Sequence, residues 1–202
     1  MALGNDAIKM HALCCEAARI GGGVVFPPVF FGIPFLVPYG KKYKYQANLP
    51  VPPDFLATVL KTTLATLENI GFRAAILTTG HTCQQQRDLM RNIAQGHSGT
   101  MRVYGTDDME WAADIEFTSD HAAKWETSIL WYLRPDLVDI YKLPKDTTVP
   151  LEGISGEDPR LHASRELGEK VVRCIARDLA RKGQELLKQP TVPNTVLHGT
   201  MR

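Results

Sequence analysis

The stretch that most limits what this chain can fold into is residues 70–86, IGFRAAILTTGHTCQQQ. Ala74-Ala75-Ile76-Leu77 is a short apolar run held between Gly71 and Gly80. It is too short for a typical globular helix, so it reads as a buried strand. His81 falls just past the carboxyl end of that strand. In an open α/β sheet, ligands collect in the crevice outside the carboxyl ends of the strands. His81 is therefore a candidate functional residue, with a plain loop histidine as the alternative that position alone leaves open. From Gln85 the pattern becomes helical, and first-turn amides of such a helix would face the same crevice.

The segments on either side supply the rest of an α/β pattern. Asp6–Arg19 has helical composition, with Ile8, His11 or Leu13, Cys15 and Ala18 available to one face and Asn5 or Asp6 as its cap. Gly21-Gly22-Gly23 ends it, and Val24-Val25-Phe26 reads as a parallel strand closed by Pro27-Pro28. Residues 29–53 form a long loop rich in aromatic residues, prolines and glycines, suited equally to an oligomer contact or a substrate lid. Asp54 is placed to cap a helix whose apolar positions Leu56, Val59, Leu60, Leu64 and Leu67 recur every three or four residues. Met101–Tyr104 is a short strand, and the acidic stretch 107–114 reads as a helix or loop whose carboxylates are solvated caps. Asp120 caps a helix that Pro135 stops, Val138–Tyr141 is an edge strand or extended link, and a long helix runs from His162 or Ala163 to about Leu187, bent at Gly168 or Gly183. The alternation predicts an α/β fold: a three-layer αβα sandwich with a mostly parallel central sheet. Residues 1–189 are expected to form a single domain, followed by a flexible tail, 190–202.

Composition narrows the function. The 202 residues carry 23 Lys+Arg against 22 Asp+Glu, a formal charge of +1, so no strong field draws nucleic acid or an anionic membrane. The four cysteines match no CxxC spacing, and a core this large needs no disulfide staples. The amino-terminal residues lack the apolar core of a signal peptide, and no apolar run is long enough to cross a bilayer. A soluble cytoplasmic protein is expected, acting on a small-molecule partner without nucleic acid or membrane.

There is no GxSxG elbow, Walker loop or GxGxxG in the chain. Cys83 lies two positions from His81, but no third group identifies it as a nucleophile. Asp6, His81 and Glu126 are oxygen and imidazole donors of the kind that hold zinc, manganese or iron, although each is unremarkable taken singly. His121 and Glu126 differ by five positions, roughly 140° apart on an ideal helix, so they share a crevice only if His121 lies outside the helix proper. A solvated helix carboxylate is the alternative for Glu126, yet its setting beside Trp125 favours burial, and a buried carboxylate needs a partner.

Four separated segments carry a family resemblance. Leu3-Gly4-Asn5-Asp6 resembles an LPxGTD ending; Thr79-Gly80-His81-Thr82-Cys83-Gln84 stands where NGHGGN is found; His121–Ser128 matches HAGExETS; and Gly156-Glu157-Asp158-Pro159 with Ala163-Ser164 and Gly168 resembles GDPxxAS…G. In order and together they resemble the creatininase (creatinine amidohydrolase) family of metal-dependent hydrolases. The resemblance implies a divalent metal, zinc or manganese with iron as a further candidate, held by Asp6, His81 and Glu126. It also implies His121 as the proton-transferring catalytic residue and a metal-activated water that attacks a small cyclic amide or related polar ring compound.

The chain also departs from that pattern. The family's leading strand, Glu-x-His-Gly, has no counterpart before Asp6, Cys83 falls where creatininase has a ligand glutamate, and Lys124 replaces an acidic residue. Besides an active hydrolase, the residues therefore allow a catalytically impaired member that serves as a binding or structural oligomer subunit, or a truncated gene model whose real product carries the missing strand. An absent strand would leave an exposed sheet edge, so a homo-oligomer is expected, and the resemblance points to a hexamer.

Overall fold

The computed structural model describes residues 2–33, 49–112 and 114–189. The expected tail and most of the aromatic loop lie outside these residues. Helix α1, Asn5–Gly21, opens the chain and is followed by a two-residue parallel pairing of β1, Phe31–Gly32, with β2, Leu49–Pro50. Then come α2 (Pro53–Ile70), β3 (Ala74–Thr79), α3 (Gln84–Gln95) and β4 (Arg102–Asp107). Helix α4 (Lys124–Leu133), the short α5 (Pro159–His162) and the long α6 (Arg165–Lys188) complete the chain.

β3 and β4 pair in parallel from Ala74 opposite Arg102 to Thr79 opposite Asp107, and their side chains alternate between two cores. Ile76 and Tyr104 turn to the side packed by α1, α4 and α6, where Leu13, Ile129, Val171 and Ile175 are fully buried. Ala75, Leu77 and Val103 turn to the side packed by α2 and α3, against Leu60, Leu64, Met90 and Ile93. Helices on both faces of a parallel sheet make the expected αβα sandwich. Burying each such leucine or isoleucine contributes roughly 1.5–3 kcal/mol.

Two glycines set how closely the layers approach. A Cβ on Gly168 of α6 would collide with the Ser128 carbonyl of α4, so these helices cross backbone to backbone. A Cβ on Gly80, just past β3, would lie 2.6 Å from the Asp6 carbonyl oxygen, so the first turn of α1 rests directly on the end of β3.

Several local expectations need correction. Val24–Phe26 forms no strand; Val24 is 77% exposed and, among the described residues, the paired neighbour of β3 is β4. The cap of α1 is Gly4 in a left-handed conformation (φ 74°), with Asn5 buried inside the helix. Pro52 precedes α2 and Pro53 opens it, so its fixed φ starts the helix and Asp54 merely lies in the first turn. No edge strand forms at 138–141 among the described residues: Val138 is extended (φ −123°, ψ 116°) and links two 3-10 turns, Pro135–Leu137 and Ile140–Lys142, the second of which takes in Ile140 and Tyr141. The final helix begins at Arg165, capped by Ser164 Oγ accepting from Leu167 N at 3.0 Å, and runs unbroken through both glycines. Among the described residues no helix is long and apolar enough to cross a membrane.

Candidate functional site

The candidate residues meet where the start of α1, the ends of β3 and β4 and the start of α4 come together. Asp6 stands in the first turn of α1, and its Oδ2 lies 3.1 Å from Nδ1 of His81, which follows β3 as the sequence predicts. The loop carrying His81 is tied down: its backbone N–H donates to Thr79 Oγ1 at 3.1 Å, and Gln86 Nε2 donates to the same oxygen at 2.9 Å. His81 Nε2 is buried without a hydrogen-bond partner among the described residues. Burial works against protonation of this imidazole, but the Asp6 carboxylate and the Cys83 thiol outweigh it and push its pKa up to about 10. Burial likewise works against the Asp6 anion, and His81, Lys9 and His121 outweigh it, leaving the carboxyl below its usual range.

Lys9, one helical turn after Asp6, is the residue the sequence did not single out. Its side chain is 2% exposed, and its Nζ lies 2.7 Å from Asp108 Oδ2, 3.3 Å from Glu126 Oε1 and 3.5 Å from the Gly80 carbonyl oxygen. Burial alone would strip its proton; the anions of Asp108, Glu126 and Asp6 prevail and hold the ammonium charged, its pKa raised. Asp108 is pushed up to about 6, because complete burial penalises its anion more than the neighbouring ammonium relieves it. In α1 Lys9 belongs to an i,i+4 row, Asn5, Lys9, Leu13 and Ala17, all buried, with Met10 beside them, and a row that is half polar is not marked by the sequence. The expected face of Ile8, Cys15 and Ala18 is rotated from it, since scoring only apolar residues passes over a lysine.

Glu126 has the partners its burial requires. Besides Lys9, its Oε2 accepts from Ala122 N at 2.9 Å, which satisfies an amide just ahead of α4. Asp120 caps the same helix from four residues upstream of its start, accepting from Trp125 N at 2.6 Å and Glu126 N at 3.1 Å. His121 lies outside the helix in an antiparallel bridge to Ser155; its side chain is 47% exposed, with Nδ1 4.0 Å from Glu126 Oε2. Lys124 turns away to Glu157 at 2.6 Å. Of the acids in 107–114, Asp107 and Asp108 are sealed in, contrary to the solvated reading, whereas Glu110 and Asp114 are exposed as expected. Asp107 takes Arg87 at 2.8 Å and Arg91 at 3.1 Å, while Asp108 takes Lys9.

The family model described as creatinine amidohydrolase matches residues 1–183. The chain belongs to the creatininase family. No curated protein matches it. Among solved structures it is similar to the Bacteroides fragilis protein assigned as a creatinine amidohydrolase, with 20% identity and a TM-score of 0.69 over 92% of this chain and 83% of that one. A creatininase mutant of the Zn–Zn type is 18% identical (TM-score 0.70, 94% and 85% covered). A creatininase mutant complexed with the small molecule creatine is also 18% identical (TM-score 0.66, 94% and 86% covered). These likenesses establish the fold.

They do not carry a metal centre over to this creatininase-family chain. The expected zinc, manganese or iron cofactor, and with it the metal-activated hydrolase, is overturned: among the described residues no three His, Cys, Asp or Glu side chains gather so as to hold a metal ion. The donor chemistry explains why. The Asp6 carboxylate is taken up by His81 Nδ1 at 3.1 Å. Asp108 and Glu126 face an ammonium, and a second cation there would meet like charge at close range. The structure thus brings Asp6 to His81 and Glu126 to Lys9, in two pairings side by side on α1.

Proposed function

We propose that this chain is a catalytically impaired creatininase-family member that serves as a binding or structural subunit of an oligomer. The observation that carries the reading is that three carboxylates of the site and the His81 imidazole are already engaged within the chain, Asp6 with His81 and both Asp108 and Glu126 with Lys9. A family crevice whose charges are self-compensated keeps its shape while lacking a water-activating centre. The assembly half of the proposal is supported by exposed large apolar side chains around β1 and the start of α2: Val24, Phe26, Phe30, Phe31, Leu49 and Phe55.

The test has two readouts. After incubation with zinc or manganese and dialysis, the purified chain is expected to retain no stoichiometric metal and to leave creatinine and related cyclic amides unhydrolysed. One bound equivalent with turnover would overturn the reading. Light scattering should give a multiple of the chain mass, and a monomer across micromolar concentrations would remove the assembly half while leaving the catalytic half standing.

A further inference from the structure

Lys9 is the most unusual group in the molecule. A lysine is almost never fully buried unless paired, and moving an ammonium out of water costs several kcal/mol before its partners compensate. Here the anions come from separate elements: Asp108 from the turn after β4, Glu126 from the first turn of α4, and Asp6 from its own helix one turn earlier. The Gly80 carbonyl at the end of β3 completes the surroundings. Asp120 and His121 lie beyond Glu126, and His81 is taken up by Asp6. The ammonium is thus a point at which four elements of the fold converge. Asp108 and Glu126 would otherwise repel one another inside the protein, and Oδ1 of Asp108 has no hydrogen-bond partner among the described residues.

We infer that Lys9 is the resident cation of this crevice, its ammonium holding Asp108 and Glu126 together as an ion would and making the fold independent of added metal. The inference rests on the reading that the site is not a metal centre, and it adds which group does the electrostatic work. Charge, and not the packing of the lysine stem, is the essential property, so the requirement for Lys9 must disappear when the anions it serves are neutralised.

The experiment compares thermal unfolding of the full chain with Lys9→Met, Lys9→Met/Asp108→Asn and Lys9→Met/Asp108→Asn/Glu126→Gln. Methionine preserves most of the stem, and Asn and Gln keep an acceptor for existing donors. Lys9→Met should lower Tm by roughly 10 °C or more, or fail to fold, as expected when one partner of a buried ion pair is removed. Each added neutralisation should then recover stability. Lys9→Met should also regain more Tm than the wild type does as pH falls, which a loss of packing would not do. The wild-type Tm should be unchanged by zinc, manganese or a chelator. If the neutralised variants are as unstable as Lys9→Met, or all three fail to fold, charge compensation is wrong. Metal bound by the wild type with turnover would instead overturn the proposed function, whatever the rescue series gives.

Discussion

Two ionic systems sit one turn apart on α1, and they are built to opposite specifications. Asp6 and His81 pair at the crevice mouth, where the Asp6 side chain is 39% exposed. Lys9, Asp108 and Glu126 are sealed beneath, with the lysine and Asp108 at 2% and 1%. Near the surface, water screens charges and a broken pair is rehydrated at little cost. In the interior the same loss leaves an uncompensated ion. The outer pair is therefore an adjustable element of the crevice, and the inner cluster is part of the core that happens to be charged.

Glu126→Ala and Asp6→Ala should separate the two systems most strongly. Removing Glu126 takes one anion from Lys9 and leaves the Ala122 amide without its acceptor, so urea denaturation should show a loss of about 3–5 kcal/mol. Asp6→Ala should lose no more than about 2 kcal/mol, because its side chain is 39% exposed and Lys9 keeps its two nearer anions. Equal losses would mean that the two systems form one network.

The pH dependence separates them next. His81 has a folded pKa of about 10 against 6.5 unperturbed, so its contribution is complete below pH 6.5 and disappears as pH rises to about 10. After discounting for the exposure of Asp6, the decline should be about 2 kcal/mol. His81→Asn should flatten it, and a slope that survives in this variant would assign the window to another group. The inner cluster responds at lower pH. Asp108 is raised from 3.8 to about 6, so its contribution is fully present below pH 3.8 and is lost as pH rises through 6. The effect should be smaller, about 1 kcal/mol, since Lys9 moves with it. Asp108→Asn should remove that step while leaving the alkaline one.

How much of this could be read from the sequence depended on whether local pattern or tertiary placement decided the outcome. β3 and the position of His81 were legible because Gly71 and Gly80 bracket a short apolar run, and backbone chemistry fixes such punctuation locally. The motif around Glu126 was legible as a helix start, since Asp120 and the buried Ser128 support it through nearby backbone groups. Val24–Phe26 failed for the converse reason. Its β-branched composition favours a strand only where a neighbour exists to pair with it, and the described residues provide none. Lys9 could not be found by hydropathy, because what buries it lies 99 and 117 positions away in Asp108 and Glu126. The metal expectation failed at the same point: the donors recur in sequence, and their partners are settled only in three dimensions.

The smallest predicted effect tests whether the right lysine has been identified. Lys124 is the lysine that the family comparison makes conspicuous, because it stands within the HAGExETS-like segment and replaces an acidic residue there. In the structure its ammonium reaches outward to Glu157 and lies 4.5 Å from the Trp125 ring centroid, and Glu157 is 52% exposed. An exposed pair of this kind gives up little when broken, because water replaces the partner and side-chain freedom is regained. Lys124→Met should therefore shift Tm by less than about 3 °C and leave both pH windows unchanged. Lys9→Met makes the same chemical change one layer deeper, and it should be the damaging one. Comparable losses at the two sites would show that the lysine charge is not specifically required at the centre of the fold.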